Sequence, residues 1–217
     1  KNRPSFIGGN ILTGGHTDIE ANVSENKITC EGNGMYNSIT GGNVSINHWS
    51  PGEKGRAAAS KNQIILRNGH YRSGIRGGSV KSSLSYASAQ GSDTSAMADG
   101  NIIEISGGTY EEEIVGGHAH VRNASKAEVS ASNNTITIQG TPDLSQAMLY
   151  GGAAKGKALT IDDNALVIKE TKDIRTKAIQ NFQKLDFHIP AGMTESDTML
   201  TVTSSTDTDL KGAAITA

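Results

Sequence analysis

Asn62-Gln63-Ile64-Ile65-Leu66, followed by Tyr71 and then Ile75-Arg76-Gly77-Gly78, decides the fold because the same pattern returns on both sides of it. Upstream it reads Asn26, Ile28, Cys30, Tyr36, Ile39, Gly41, Gly42, and downstream Asn101, Ile103, Ile105, Tyr110, Ile114, Gly116, Gly117. The interval from the isoleucine two places after the Asn to the first Gly is identical in all three. A fourth unit, Asn134, Ile136, Ile138, Leu149, Gly151, Gly152, is slightly longer in that interval, and a fifth begins at Asn164, Leu166, Ile168 and decays without a Gly pair. Successive anchor Asn residues lie 36, 39, 33 and 30 residues apart, a period at which self-similarity signals stacked supersecondary units. The chain is expected to be all-β: a β-solenoid, specifically a right-handed parallel β-helix of about five coils or coil pairs.

Within each unit, alternation of apolar residues places Ile28, Ile64, Ile103 and Ile136 on one strand face, because side chains at i and i+2 point the same way. Stacked in register they form an interior ladder, with Cys30, Leu66, Ile105 and Ile138 as the next. Tyr36, Tyr71 and Tyr110 recur at one position and should stack as an aromatic ladder. The pairs Gly41-Gly42, Gly77-Gly78, Gly116-Gly117 and Gly151-Gly152 are assigned a structural role: positive φ at sharp corners, where the chain leaves one sheet for the next. Short strands are expected after them, over Asn43–Ile46, Ser79–Leu84 and His118–Val121. Polar stretches of varying length, Ser50–Arg56 and Ala87–Thr94, then read as outward loops.

Composition agrees with a thin, extended core. Only 35% of the 217 residues are apolar and 4% aromatic, against 26 glycines, too little bulk for a thick globular interior. A net charge of −2 with scattered Lys and Arg argues against a nucleic-acid groove or an anionic-membrane patch. The single Cys30 excludes an intrachain disulfide and is expected to be a buried, inert thiol. No apolar run is long enough to cross a bilayer as a helix. The chain starts Lys1-Asn2-Arg3 and is read as a piece of something longer. Residues 1–181 are expected to form the solenoid, with units starting near 26, 62, 101, 134 and 164. Residues 182–217 have strands without the repeat signature and are expected to be a terminal cap or a continuation of the solenoid.

Chemistry-bearing patterns are sparse. His118 and His120 form an H-x-H on one face of a strand, which could offer two metal ligands, but a third is missing. Glu111-Glu112-Glu113 reads as an acidic loop tip beside them. No phosphate-binding glycine loop, calcium-binding nonapeptide or Ser-His-Asp grouping occurs. No catalytic residue, metal or cofactor is assigned. The side chains expected to make binding contacts are Trp49, the lone Trp; Tyr86, beside the second variable stretch; and His118 and His120.

The Asn-x-Ile-x-Ile and Ile-x-Gly-Gly units, and Leu149-Tyr150-Gly151-Gly152 with its Ala- and Gly-bearing loop, resemble passenger regions of Gram-negative type V autotransporter adhesins. Leu185-Asp186-Phe187-His188-Ile189-Pro190-Ala191-Gly192 and Asp197–Val202 resemble segments that close repeat blocks in such passengers. The resemblance implies export through a C-terminal outer-membrane barrel lying outside this chain, display at the cell surface, and a role in adhesion and virulence. Its implied partners are a glycan or protein on a host or neighbouring cell, or another copy of the passenger. A polysaccharide-cleaving β-helix enzyme and an inert stalk are the alternatives.

Overall fold

The computed structural model describes residues 3–15, 18–48, 54–84, 93–122, 126–210 and 212–217. Within them the chain is all-β, without helix, and every paired strand is parallel. One coil visits four sheets in turn. A strand such as Gly55–Ala58 lies in sheet B, Gln63–Leu66 in sheet C, the two-residue His70–Tyr71 in sheet D, and the long Ile75–Leu84 in sheet A. The next coil repeats this with Asp93–Met97, Ile102–Ile105, Thr109–Tyr110 and Glu113–Arg122. Ile28 pairs with Ile64, Ile64 with Ile103, Ile103 with Ile136 and Ile136 with Leu166. Each repeat is therefore one coil, and the ladder expected from the sequence is the register observed. The protein is a parallel β-helix.

The interior is divided into two cores. The larger holds the sheet C ladders, Ile39, Ile75 and Ile114 from the start of the sheet A strands, and the tyrosines. The smaller is built from Val44, Ile46, Val80, Ala119 and Val121 at the far end of the same strands, facing Ala57, Ala59, Ala96, Ala98 and Val129 of the sheet B side. Aliphatic bulk on one side and alanine on the other lets the second lobe close over a short distance. The tyrosines stack as expected, with centroids 5.1 Å apart for Tyr36 and Tyr71 and 4.8 Å for Tyr71 and Tyr110. Their hydroxyls donate to turn carbonyls, Tyr71 to Asn68 and Tyr110 to Gly107, so burial leaves no phenol unsatisfied there.

Between the cores runs a buried column of amides. Asn62, Asn101, Asn134 and Asn164 are fully buried. Asn26, Asn62, Asn101 and Asn134 each donate both the backbone N–H and a side-chain N–H to the Oδ1 of the Asn one coil further on. The side-chain distances are 2.9 Å for Asn26 to Asn62, 3.0 Å for Asn62 to Asn101, 3.0 Å for Asn101 to Asn134 and 3.1 Å for Asn134 to Asn164. The column ends where Gln183 Oε1 accepts from the Asn164 backbone. A buried amide without partners would be strongly destabilising; here the stack supplies its own.

The Gly pairs lie opposite this column, and their role differs from the expected one. They are interior to the continuous strands Ile39–His48, Ile75–Leu84, Glu113–Arg122 and Leu144–Lys155, which run unbroken through them, and none has positive φ. A Cβ at Gly77 would lie 2.2 Å from the Gly116 carbonyl oxygen and 2.6 Å from Asn101 Cβ, and one at Gly78 would lie 1.9 Å from the Ala59 carbonyl oxygen. Glycine is required for close approach. The left-handed corner sits instead just before each ladder Asn, at Glu25, Lys61, Gly100, Asn133 and Asp163, with φ of 63°, 56°, 66°, 57° and 56°. Varied side chains occupy that corner, which is why no sequence signature marks it.

Two details of the strand boundaries depart from expectation. The sheet A strands include the segments expected as separate short strands, and Gly55–Arg56 and Asp93–Thr94 are strand rather than loop; Lys54 precedes the strand, and residues 50–53 and 87–92 of the two variable stretches lie outside the described residues. At the C-terminal end Lys184–His188 and Ala214–Thr216 add to sheet C, and Leu200–Val202 adds to sheet A.

Two substitutions separate close approach from backbone angle. Gly116→Ala places a Cβ 2.3 Å from the Gly151 carbonyl oxygen and should destabilise by about 3 kcal/mol or more. Gly100→Ala, at a positive φ with the nearest atom 3.6 Å away, should cost only about 1–2 kcal/mol; denaturant midpoints decide the order. Asn101→Ala orphans the two donors of Asn62 and should cost about 2–6 kcal/mol, roughly 1–3 for each. Asn26→Ala, at the partly exposed start of the column, should cost less.

Candidate contact face

The outer side of sheet A beyond the Gly pairs is where the coils bring charged side chains together. Along Glu113–Arg122 the alternation that buries Ala119 and Val121 turns His118, His120 and Arg122 outward. Parallel register then sets Ser79, His118 and Ala153 side by side, and likewise Lys81, His120 and Lys155. The expectation that His118 and His120 share a face is met. They share it with Lys81, Arg122 and Lys155, and Arg76 lies just across the Gly pair; the sequence reading singled out none of the four. A signal was present: Lys81, His120 and Lys155 each stand third after a Gly pair.

Electrostatics follow from this crowding. Burial, then Arg76, Lys81 and His120, push the His118 pKa down to about 4. His120 is lowered as well, by burial first and then by Lys155, Arg122 and Lys81. His118 Nδ1 is buried without a hydrogen-bond partner. Arg76 has an acidic neighbour, Glu113 at 3.9 Å. Among the described residues no carboxylate lies within ion-pair distance of Lys81, Arg122 or Lys155. Val115, paired in register with Arg76 and Tyr150, is buried yet belongs to neither interior core.

The acidic run does not join the histidines. Glu111 bonds His70 and lies 3.6 Å from Arg72, around the tyrosine corner. Trp49 and Tyr86 lie outside the described residues. Cys30 is a buried free thiol at the foot of the tyrosine stack, and burial raises its pKa, which makes it a poor nucleophile.

A second concavity opens where sheet D stops after Thr109–Tyr110. Successive turns at Gly140–Pro142, Glu170–Asp173 and Pro190–Met193 line a cleft of about 620 Å³. Lys172 on its rim is held by Asp197 at 2.6 Å, and the Asp197 carboxyl is depressed to about 2 by that bond and by the Thr194 amide. No protein-family model, curated protein or solved structure matches the chain.

The histidine pair carries a pH signature. Between about pH 6.5 and pH 4 an unfolded His118 binds a proton that the folded one refuses, so stability present above pH 6.5 is lost as pH falls toward 4. His118→Gln should flatten this part of the stability profile, measured by denaturant unfolding across that window.

Proposed function

We propose that this chain is a fragment of a surface-displayed, adhesin-like passenger whose role is contact with a host or neighbouring cell, with matrix or with its own kind. The supporting observation is the division of labour across each strand: the inward residues serve the two cores and the amide column, while the outward row on sheet A gathers Lys81, His120 and Lys155, with no carboxylate within ion-pair distance of either lysine among the described residues. Contact spread over such a row fits an extended repetitive rod. The likeness of its repeats to autotransporter passengers supports display through an outer-membrane barrel outside this chain.

A polysaccharide-cleaving role is the second reading, favoured by the cleft with Glu170, Lys172 and Asp173 on its wall. Against it, Lys172 is committed to Asp197, whereas acid–base work needs a group able to reach the substrate. The labelled chain should bind epithelial cells or extracellular matrix, with loss on shortening residues 50–53 and 87–92 or on changing the sheet A row. Release of reducing ends from pectin-like polymers, with or without calcium, would replace the contact reading by the enzymatic one.

A further inference from the structure

We infer that the outward row of sheet A beyond the Gly pairs, centred on Lys81, His120 and Lys155, is a binding site for a linear anionic polysaccharide lying along the axis of the β-helix. The inference rests on the contact reading above and names its ligand class. Register places these three side chains on adjacent coils, so they span two inter-strand steps, roughly 10 Å. A disaccharide covers that length, and a polymer with acidic groups along one edge meets the cations in sequence. Arg122 flanks the row two residues beyond His120, and Arg76 lies across the Gly pair beside His118. Burial is the first cause of the lowered His118 and His120, and the neighbouring cations add to it by disfavouring the charged imidazoles. An anion in the row relieves that repulsion, because opposite charge at short range favours the protonated imidazole.

The small polar neighbours select the class of polymer. On the preceding coil the same face carries Asn43, Ser45 and Asn47, and Ser83 stands two residues beyond Lys81 on its own strand, all outward on sheet A. Amides and hydroxyls of this kind hydrogen-bond sugar hydroxyls. Single-stranded nucleic acid is held by stacking on aromatic rings in a basic groove, and no Trp, Tyr or Phe stands among the described outward residues beyond the Gly pairs. A net charge of −2 likewise offers no general attraction for polyanions, so binding to this face is local.

The test uses the whole chain with heparin-derived oligosaccharides as the anionic probe, oligothymidylate as the nucleic-acid probe and a neutral dextran as control, by calorimetry at low ionic strength. Heparin fragments should bind, weakening with added salt, and Lys81→Glu with Lys155→Glu should reduce affinity about tenfold or more. Lys27→Glu with Lys184→Glu, on the outer side of sheet C, should leave it within about twofold. Both pairs change surface side chains, and circular dichroism and melting verify the fold. Absence of heparin binding, equal loss in the sheet C pair, or tighter binding of oligothymidylate overturns the inference. Cell binding that survives the sheet A changes, in a chain that ignores heparin, sinks the ligand class and leaves the contact reading intact. Heparin binding without cell or matrix binding does the reverse.

Discussion

The hydrogen-bonded column of Asn side chains is the interaction on which the rest of this structure depends. An amide is self-complementary along a stack: its oxygen accepts from the coil before it while its nitrogen donates to the coil after it. That satisfies polar groups in the middle of an apolar interior. The column draws the corner between sheets B and C toward the middle of sheet A, so that Ala59 and Gly78 meet backbone to backbone. Only glycine fits there. Anchor Asn and Gly pair are thus two halves of one constraint, and their joint recurrence is its trace in the sequence.

This waist accounts for features that otherwise look unrelated. It splits the interior into an aliphatic and tyrosine core and a smaller alanine and valine core, each one or two side chains wide. A chain with little aromatic bulk can fill two narrow lobes where it could not fill one broad one. On the outer face Val115 is buried in register with Arg76 and Tyr150, and the outward residues beyond the Gly pairs gather Lys81, His118, His120 and Lys155. Structural economy inside and crowded charge outside are carried by the two faces of the same strands.

The ends of the repeat array show how the constraint is relaxed. Ser5-Phe6-Ile7-Gly8-Gly9-Asn10 matches Ser38-Ile39-Thr40-Gly41-Gly42-Asn43, and a Cβ at Gly8 would lie 2.2 Å from the Gly41 carbonyl oxygen. This earlier Gly pair was legible, with Phe standing for Ile, and the sequence reading passed over it. At the other end Asn181 takes the place of a pair glycine against Gly151, and Gln183 replaces the anchor Asn. The longer Gln side chain reaches the Asn164 backbone but prolongs the column no further.

Sequence alone determined the coil. The interval from Ile64 to Gly77, equal in the units on either side, sets the register, because a parallel stack aligns identical residues and a one-residue slip would turn every inward side chain outward. It also determined the tyrosine stack, the buried thiol and the common face of His118 and His120. Tertiary structure decided why the glycines are there. Their φ is ordinary, and the requirement comes from a carbonyl and an Asn side chain tens of residues away. It decided that the true corners precede the Asn, since Glu25, Lys61, Asn133 and Asp163 share a backbone angle and no side-chain type. It decided the contact row as well, because Lys81, His120 and Lys155 are distant in sequence and become neighbours only when three coils stack.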